Sequence, residues 1–169
     1  MDNIGEKLGW KGIIHIKSNK KPLKIINNRI TDFALNELIK ALNGDPSVAA
    51  PDMDIKYLAI GTSTDPVADD STKLVNEVYR VPFVTWSVIG TGRLLSRAIL
   101  LGSEPAFPPY NGVVSIRELG FFGGVAAQDW NGGAGKDTGY LISRLLVSED
   151  KEEDEEYQFT RNDVIGRSI

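Results

Sequence analysis

Val81-Pro-Phe-Val-Thr-Trp-Ser-Val-Ile89 and Leu94-Leu-Ser-Arg-Ala-Ile-Leu-Leu101 flank Gly90-Thr-Gly92. Two apolar runs joined by a short glycine-bounded turn predict an antiparallel β-hairpin. The same grammar recurs outward in both directions. Towards the N-terminus, Ile55 to Ile60 reads as a central strand, because no polar face remains after Lys56. Trp10 to Lys17 reads as a strand with Ile14 and Ile16 on one side, and Ser18-Asn-Lys-Lys-Pro22 turns it back through Leu23 to Ile26. Towards the C-terminus, Val113 to Phe122, Tyr140 to Val147 and Tyr157 to Ile165 complete the set. Gly120 marks an expected bulge. Seven or eight short strands with frequent turn signals predict a mainly β fold, an antiparallel β-sandwich.

One helix interrupts this pattern, over residues 32–43. Thr31 or Asp32 caps its start, and Asn43-Gly44 ends it. Ala34, Leu35, Leu38, Ile39 and Leu42 fall on one face, so Leu38→Asp is expected to bury an unpaired charge and unfold or dissociate the protein. Ser71 or Thr72 is expected to open a short helical turn through Val78.

The length of 169 residues suits one domain. Residues 1–30 read as an N-terminal strand-and-hairpin arm, 31–147 as the core, 148–156 as an acidic loop and 157–169 as a last strand. Apolar residues at 41% and charged residues at 25% are ordinary for a globular chain. No apolar run is long enough to span a membrane, and the first residues lack the features of a secretory signal. Cysteine is absent, and His15 is the sole histidine, so thiol chemistry and a His-rich metal site are excluded.

The net charge is −4, but Glu149 to Glu156 holds seven acids and one lysine, a local −6 that leaves about +2 elsewhere. A near-neutral body without a basic stripe argues against nucleic-acid binding. The acidic run itself reads as a solvated turn that deters edge pairing, not as the main assembly contact, and a Gly/Ser linker is expected to replace it without loss of folding or of assembly.

Chemistry-bearing motifs fail on inspection. Gly132-Gly-Ala-Gly-Lys-Asp-Thr138 ends like a phosphate-binding loop, but Trp130 stands where the first glycine belongs and Asp137 where magnesium needs a hydroxyl. Asp129, Asn131, Gly133 and Asp137 lack the glycine and the closing glutamate of a calcium loop. A Ser-His-Asp set would need His15, and no nucleophile elbow exists. The acid pairs Asp52/Asp54 and Asp69-Asp70 lie in predicted loops. No catalytic residue, cofactor or metal is therefore expected. Trp86 reads as core because it lies mid-strand. Trp10, Tyr110 beside two prolines, and Trp130 in a Gly-rich loop are the expected interface residues. Arg80 and Glu118 are charges set among apolar strand residues and are expected to form a structural ion pair.

Five short motifs occur in order between about residues 25 and 147. They are Asn28-Arg-Ile-Thr31, Tyr57-Leu-Ala-Ile-Gly-Thr-Ser-Thr64, Asp70-Ser-Thr-Lys-Leu-Val-Asn-Glu-Val-Tyr-Arg80, Ile116-Arg-Glu-Leu-Gly-Phe-Phe122 and Gly139-Tyr-Leu-Ile-Ser-Arg144. With them the chain resembles a family of small structural proteins of tailed bacteriophages, described as tail-fibre-like or virion-associated. Ser63 replaces the family's glycine, Phe121 its leucine, one residue is added between Asp70 and Leu74, and the acidic run is an insertion. The resemblance implies a non-enzymatic virion protein, assembled in the host cytoplasm. Its place would be a tail or baseplate-fibre adaptor, or a capsid decoration protein. Its implied partners are other virion proteins and copies of itself, most simply as a trimer, with no nucleic acid or membrane. With no fibre shaft following, an accessory is expected rather than a whole fibre. The alternatives are a carbohydrate- or receptor-binding module using loop aromatics, and a cell-wall or capsule hydrolase.

Overall fold

A computed structural model describes residues 8–45, 54–105, 110–124 and 135–167. The strands are β1 (Leu8–Ser18), β2 (Lys24–Ile30), β3 (Tyr57–Gly61), β4 (Glu77–Gly90), β5 (Arg93–Leu100), β6 (Val113–Gly123), β7 (Tyr140–Glu152) and β8 (Tyr157–Arg167); the helix is α1 (Asp32–Leu42). All neighbouring strands are antiparallel, and they close in the order β1-β2-β7-β6-β3-β4-β5-β8. The expected sandwich is thus corrected to a closed eight-stranded barrel.

Curvature comes from register shifts in β4, at Phe83/Thr85 and Val88/Gly90, and in β6 with β7, at Ile116/Glu118 and Phe121/Phe122. Gly120 itself is not at a shift. Closure pairs edges that a sandwich would leave open. Its seams are unequal. β1 and β8 pair from Leu8↔Arg167 to Ser18↔Tyr157, whereas β2 meets β7 only at Arg29↔Arg144 and Ile30↔Ser143. The expected N-terminal arm is therefore, over its described residues, two staves of the barrel.

The interior is apolar because strand alternation sends Ile14, Ile16, Leu58, Ile60, Phe121 and Phe159 inward, each at most 2% exposed. The helix starts as expected. Thr31 Oγ1 accepts from Ala34 N at 3.2 Å, and Gly44 takes φ 69° just past the end. Its packing differs from expectation. Among its described apolar side chains only Ala34 is fully buried, against Ile30 and Ile142 with Leu35 packed half-buried beside it, while Leu38 is half-buried and Ile39 56% exposed. The side chain of Leu42 lies outside the described residues.

The loop from Thr62 to Asn76 contains no helical turn; β4 begins at Glu77. This loop is fixed to the outside of the barrel by Leu74, fully buried among Ala59, Phe122 and Leu141. Gly120 makes room for it, since a Cβ there would lie 2.8 Å from Leu74 Cδ2. Gly61 is small for a similar reason, since a Cβ there would lie 2.7 Å from the Asn76 carbonyl.

The acidic run is also corrected. β7 extends through Glu152 and β8 starts at Tyr157, so only a tight turn separates them. Lys151 and Glu155 are fully buried. Glu155 meets Lys21 Nζ at 2.7 Å and the Ser18 hydroxyl, Lys24 meets Glu149 at 2.8 Å, and Lys20 meets Glu152 at 2.8 Å and also Asp154. The Lys20-Lys-Pro-Leu-Lys24 turn is the counter-charge that makes these carboxylates affordable, and it straps the barrel where β2 and β7 have parted.

Candidate assembly surface

Two features concentrate polar chemistry in this barrel, and one leaves apolar surface open. The first lies under the Thr62–Asn76 loop. Arg80 Nε and Nη2 each donate to the Glu77 carboxylate at 2.7 Å, Nη1 donates to Thr138 O at 2.9 Å, and the guanidinium covers the Phe122 ring at 4.0 Å. Beside it, Arg144 Nε donates to Glu118 at 2.8 Å, while its Nη1 and Nη2 hold Pro66 O and Asp65 O at 3.0 and 3.1 Å. Glu118 also accepts from Asn76 N at 2.8 Å and Val75 N at 3.2 Å.

The expected Arg80–Glu118 pair is thus replaced by two others. β3 lies between β4 and β6, putting these residues about 10 Å apart, or two strand spacings. Arg144 is on the strand next to Glu118, opposite Gly120 two residues along. All four side chains are at most 2% exposed. Their work is structural: they tie a polar loop to a sheet.

The second feature is at the inner end of the barrel. Alternation along β8 carries Tyr157 and Phe159 inward, and then Arg161 and Asp163. Arg161 Nε and Nη2 donate to Asp163 at 2.6 and 2.8 Å, Nη1 donates to Ser143 Oγ at 3.0 Å, and the guanidinium lies 4.6 Å from the Phe121 centroid. Trp10 Nε1 donates to Asp163 Oδ1 at 2.8 Å. The motifs singled out in sequence did not include this pair; the period-two pattern running on from Tyr157 and Phe159 was the signal. Nearby, Asn28 and Ser96 hold buried side-chain polar atoms without a hydrogen-bond partner among the described residues.

Above this cluster the barrel opens. A cavity of about 540 Å³ is walled by Trp10, Ile55, Phe83, Trp86, Leu94 and Ile165, with Leu38 of the helix at its side and Ser96 in its lining. The shift at Phe83/Thr85 resets the alternation of β4, so that Trp86 and Val88, opposite Ser96 and Leu94, follow Phe83 onto the inner face. β3 stops pairing at Tyr57↔Pro82, with Phe83 N still donating to Lys56 O at 2.9 Å. The hairpin therefore projects past its neighbour, and Trp86 is 71% and Val88 79% exposed. This corrects the expectation that Trp86 is core.

Of the expected interface residues, Trp10 is half-buried at this mouth, Tyr110 is half-buried against the barrel core, and Trp130 lies outside the described residues. Burial pushes the Tyr110 phenol up from its ordinary pKa. His15 sits on the outer face of β1 opposite Thr160 and Ile25, on the other side of the wall from Asp163. The end of the phosphate-loop-like segment forms a turn, with Asp137 at φ 58° and its carboxylate 3.7 Å from Lys73. Among the described residues no helix is long and apolar enough to cross a membrane.

The chain matches no protein-family model, no curated protein and no solved structure.

Proposed function

We propose that this barrel is a non-enzymatic structural protein of a tailed-phage particle. It acts as an oligomeric accessory whose mouth seats a neighbouring virion protein. The supporting observation is the hairpin mouth. Trp86 and Val88 stand exposed beside Trp10, Leu94 and Ile165 around one cavity. A contiguous apolar surface with two tryptophans is the composition of an interface centre. The buried charges have structural employment in loop and barrel pairing, which fits a scaffold better than a reaction centre. The resemblance of the five ordered motifs to tailed-phage proteins supplies the choice of particle. Tail or baseplate adaptor and capsid decoration are both positions such a barrel suits.

The test is electron microscopy of purified particles carrying a gold label on this protein. Regularly placed label, lost with Trp86→Asp while the variant still folds, supports the proposal; particles free of the protein overturn it. The same mouth favours one second reading, a carbohydrate- or receptor-binding module, because Trp10 and Trp86 wall a cavity suited to stacking on a sugar. Glycan-array binding abolished by Trp86→Ala would select that reading.

A further inference from the structure

The outer face of β2, β1, β8 and β5 carries cations and no acid. Its rows follow from the registers: Lys11, Val164 and Arg93; then Ile13, Asn162 and Leu95; then His15, Thr160 and Arg97; then Lys17, Gln158 and Ile99. β2 adds Ile25 and Asn27 beside His15 and Ile13. Lys11, Lys17, Arg93 and Arg97 join none of the ion pairs among the described residues. Arg97 Nε is buried and lacks a hydrogen-bond partner there. Ile13 and Ile25 are 40% and 59% exposed between the cations. In a chain of net charge −4, this is a segregation of sign. Soluble surfaces ordinarily intersperse the two signs, and a one-sign face is the footprint of an electrostatic partner.

The complementary surface is on the same chain. At the β7–β8 turn Glu152, Glu153, Asp154 and Glu156 are exposed. Lys20 pairs with Glu152 and Asp154, while Glu153 and Glu156 join no ion pair among the described residues. Glu156 borders the Lys17 end of this face, but the turn cannot reach the Lys11 and Arg93 end. It is tied down by Lys20 and Lys21, and it lies beyond Gln158, at the opposite end of the strands from Lys11 and Arg93. That separation is about 20 Å along β1, at roughly 3.3 Å per residue.

We propose that the acidic β7–β8 turn of one copy docks on the cationic β1–β8–β5 face of the next, joining copies head to tail. Two different patches meet, so the contact is heterologous: it makes a ring where the rotation between copies closes and an open filament where it does not. Single-stranded nucleic acid fits this face less well, because it lacks the aromatic side chains on which bases stack. The inference rests on the reading of the chain as an oligomeric assembly protein and adds which surfaces join its copies.

The experiment is light scattering after size exclusion, at about 0.01 M and about 1 M salt, where the screening length falls from about 30 Å to about 3 Å. Self-association at low salt, with a dissociation constant that rises at least about tenfold at high salt, is expected. Lys11→Glu with Arg93→Glu should abolish it, and so should Glu153→Lys with Glu156→Lys. Mixing the two variants should restore co-assembly, because reversed turn then meets reversed face. Circular dichroism checks that each is folded, and Lys11→Gln with Arg93→Gln provides a milder version. A wild-type monomer at low salt, an oligomer indifferent to charge reversal, or no rescue on mixing overturns the proposal. An oligomer that persists through reversal refutes this contact and leaves the assembly reading intact; particles lacking the protein refute the reading itself.

Discussion

Glu118→Gln is the sharpest probe of how the barrel holds its long polar loop. Glu118 is fully buried and serves three partners: Arg144 Nε at 2.8 Å, Asn76 N at 2.8 Å and Val75 N at 3.2 Å. The amide keeps the shape and removes the charge. Arg144, itself 1% exposed, is left as a buried cation with only neutral oxygens to receive it, the carbonyls of Asp65 and Pro66 and that of the new amide. Breaking one side of a buried pair costs about 3–5 kcal/mol. That is a large share of the roughly 5–15 kcal/mol a domain has. At about 2–4 °C per kcal/mol for a chain of this size, the melting temperature should fall by roughly 6–20 °C. Urea titration measures the free energy, and amide exchange at Val75 and Asn76 locates the loss. The double variant with Arg144→Gln should recover part of it, with a coupling of about 1–3 kcal/mol. A single-variant loss below about 1 kcal/mol, or additive losses, would refute the claim that this pair anchors the loop.

Ala34→Leu should cost about 1–3 kcal/mol by overpacking the contact with Ile30 and Ile142, whereas Leu38→Asp, at the half-buried cavity wall, should melt near wild type; thermal melts of the two separate these cases. Gly92→Ala should destabilise by about 1–2 kcal/mol or more, because φ is 67° and the new Cβ would strike the Ile165 carbonyl; chemical denaturation reads it. Acid should weaken the β7–β8 end. Burial pushes the Glu155 carboxyl up, but hydrogen bonds from Lys21 and Ser18 more than offset this and hold it below its usual 4.5. The folded protein then binds fewer protons than the unfolded one, so this stability is present above the ordinary carboxyl pKa and is lost as pH falls through the lowered one. Asp150, held low by Arg117 and Ser115, adds in the same direction. Urea midpoints from pH 7 down to about 3 should fall steeply, and Glu155→Gln should flatten that fall.

Elements governed by local chemistry were legible. The Thr31 cap, the Asn43-Gly44 stop and the Gly90-Thr-Gly92 turn depend on adjacent residues, and they stand where the residues put them. Closure was not legible, because it turns on β2 meeting β7 over two residue pairs far apart in sequence. Trp86 was misplaced for a related reason. Mid-strand position implies burial only where neighbours keep pace, and β4 outruns β3 by the length of a hairpin. The charge partners failed at the same level. Lys20, Lys21 and Lys24 lie about 130 residues from the carboxylates they neutralise, so the acidic run looked solvated. Arg80 and Glu118 each find a partner, but not one another as the sequence suggests, because the strand between them sets the partners.

On the assembly reading, closure limits where a partner can dock. Backbone edges stay open where β4 and β6 outrun the five-residue β3 and where β2 parts from β7, and elsewhere a partner must meet side chains. The two surfaces available share the same strands. Along β1, Trp10 points into the mouth and Lys11 outward; along β5, Leu94 points in and Arg93 out; along β8, Ile165 points in and Val164 out. On the two proposals, a neighbour seated in the mouth and a second copy on the outer face would grip opposite sides of one wall. The two contacts differ in character, apolar inside and electrostatic outside. High salt should separate copies from one another while leaving the mouth contact in place, and Trp86→Asp should do the reverse. Measuring self-association and particle binding on the same two perturbations distinguishes that arrangement from a single shared interface, which would lose both together.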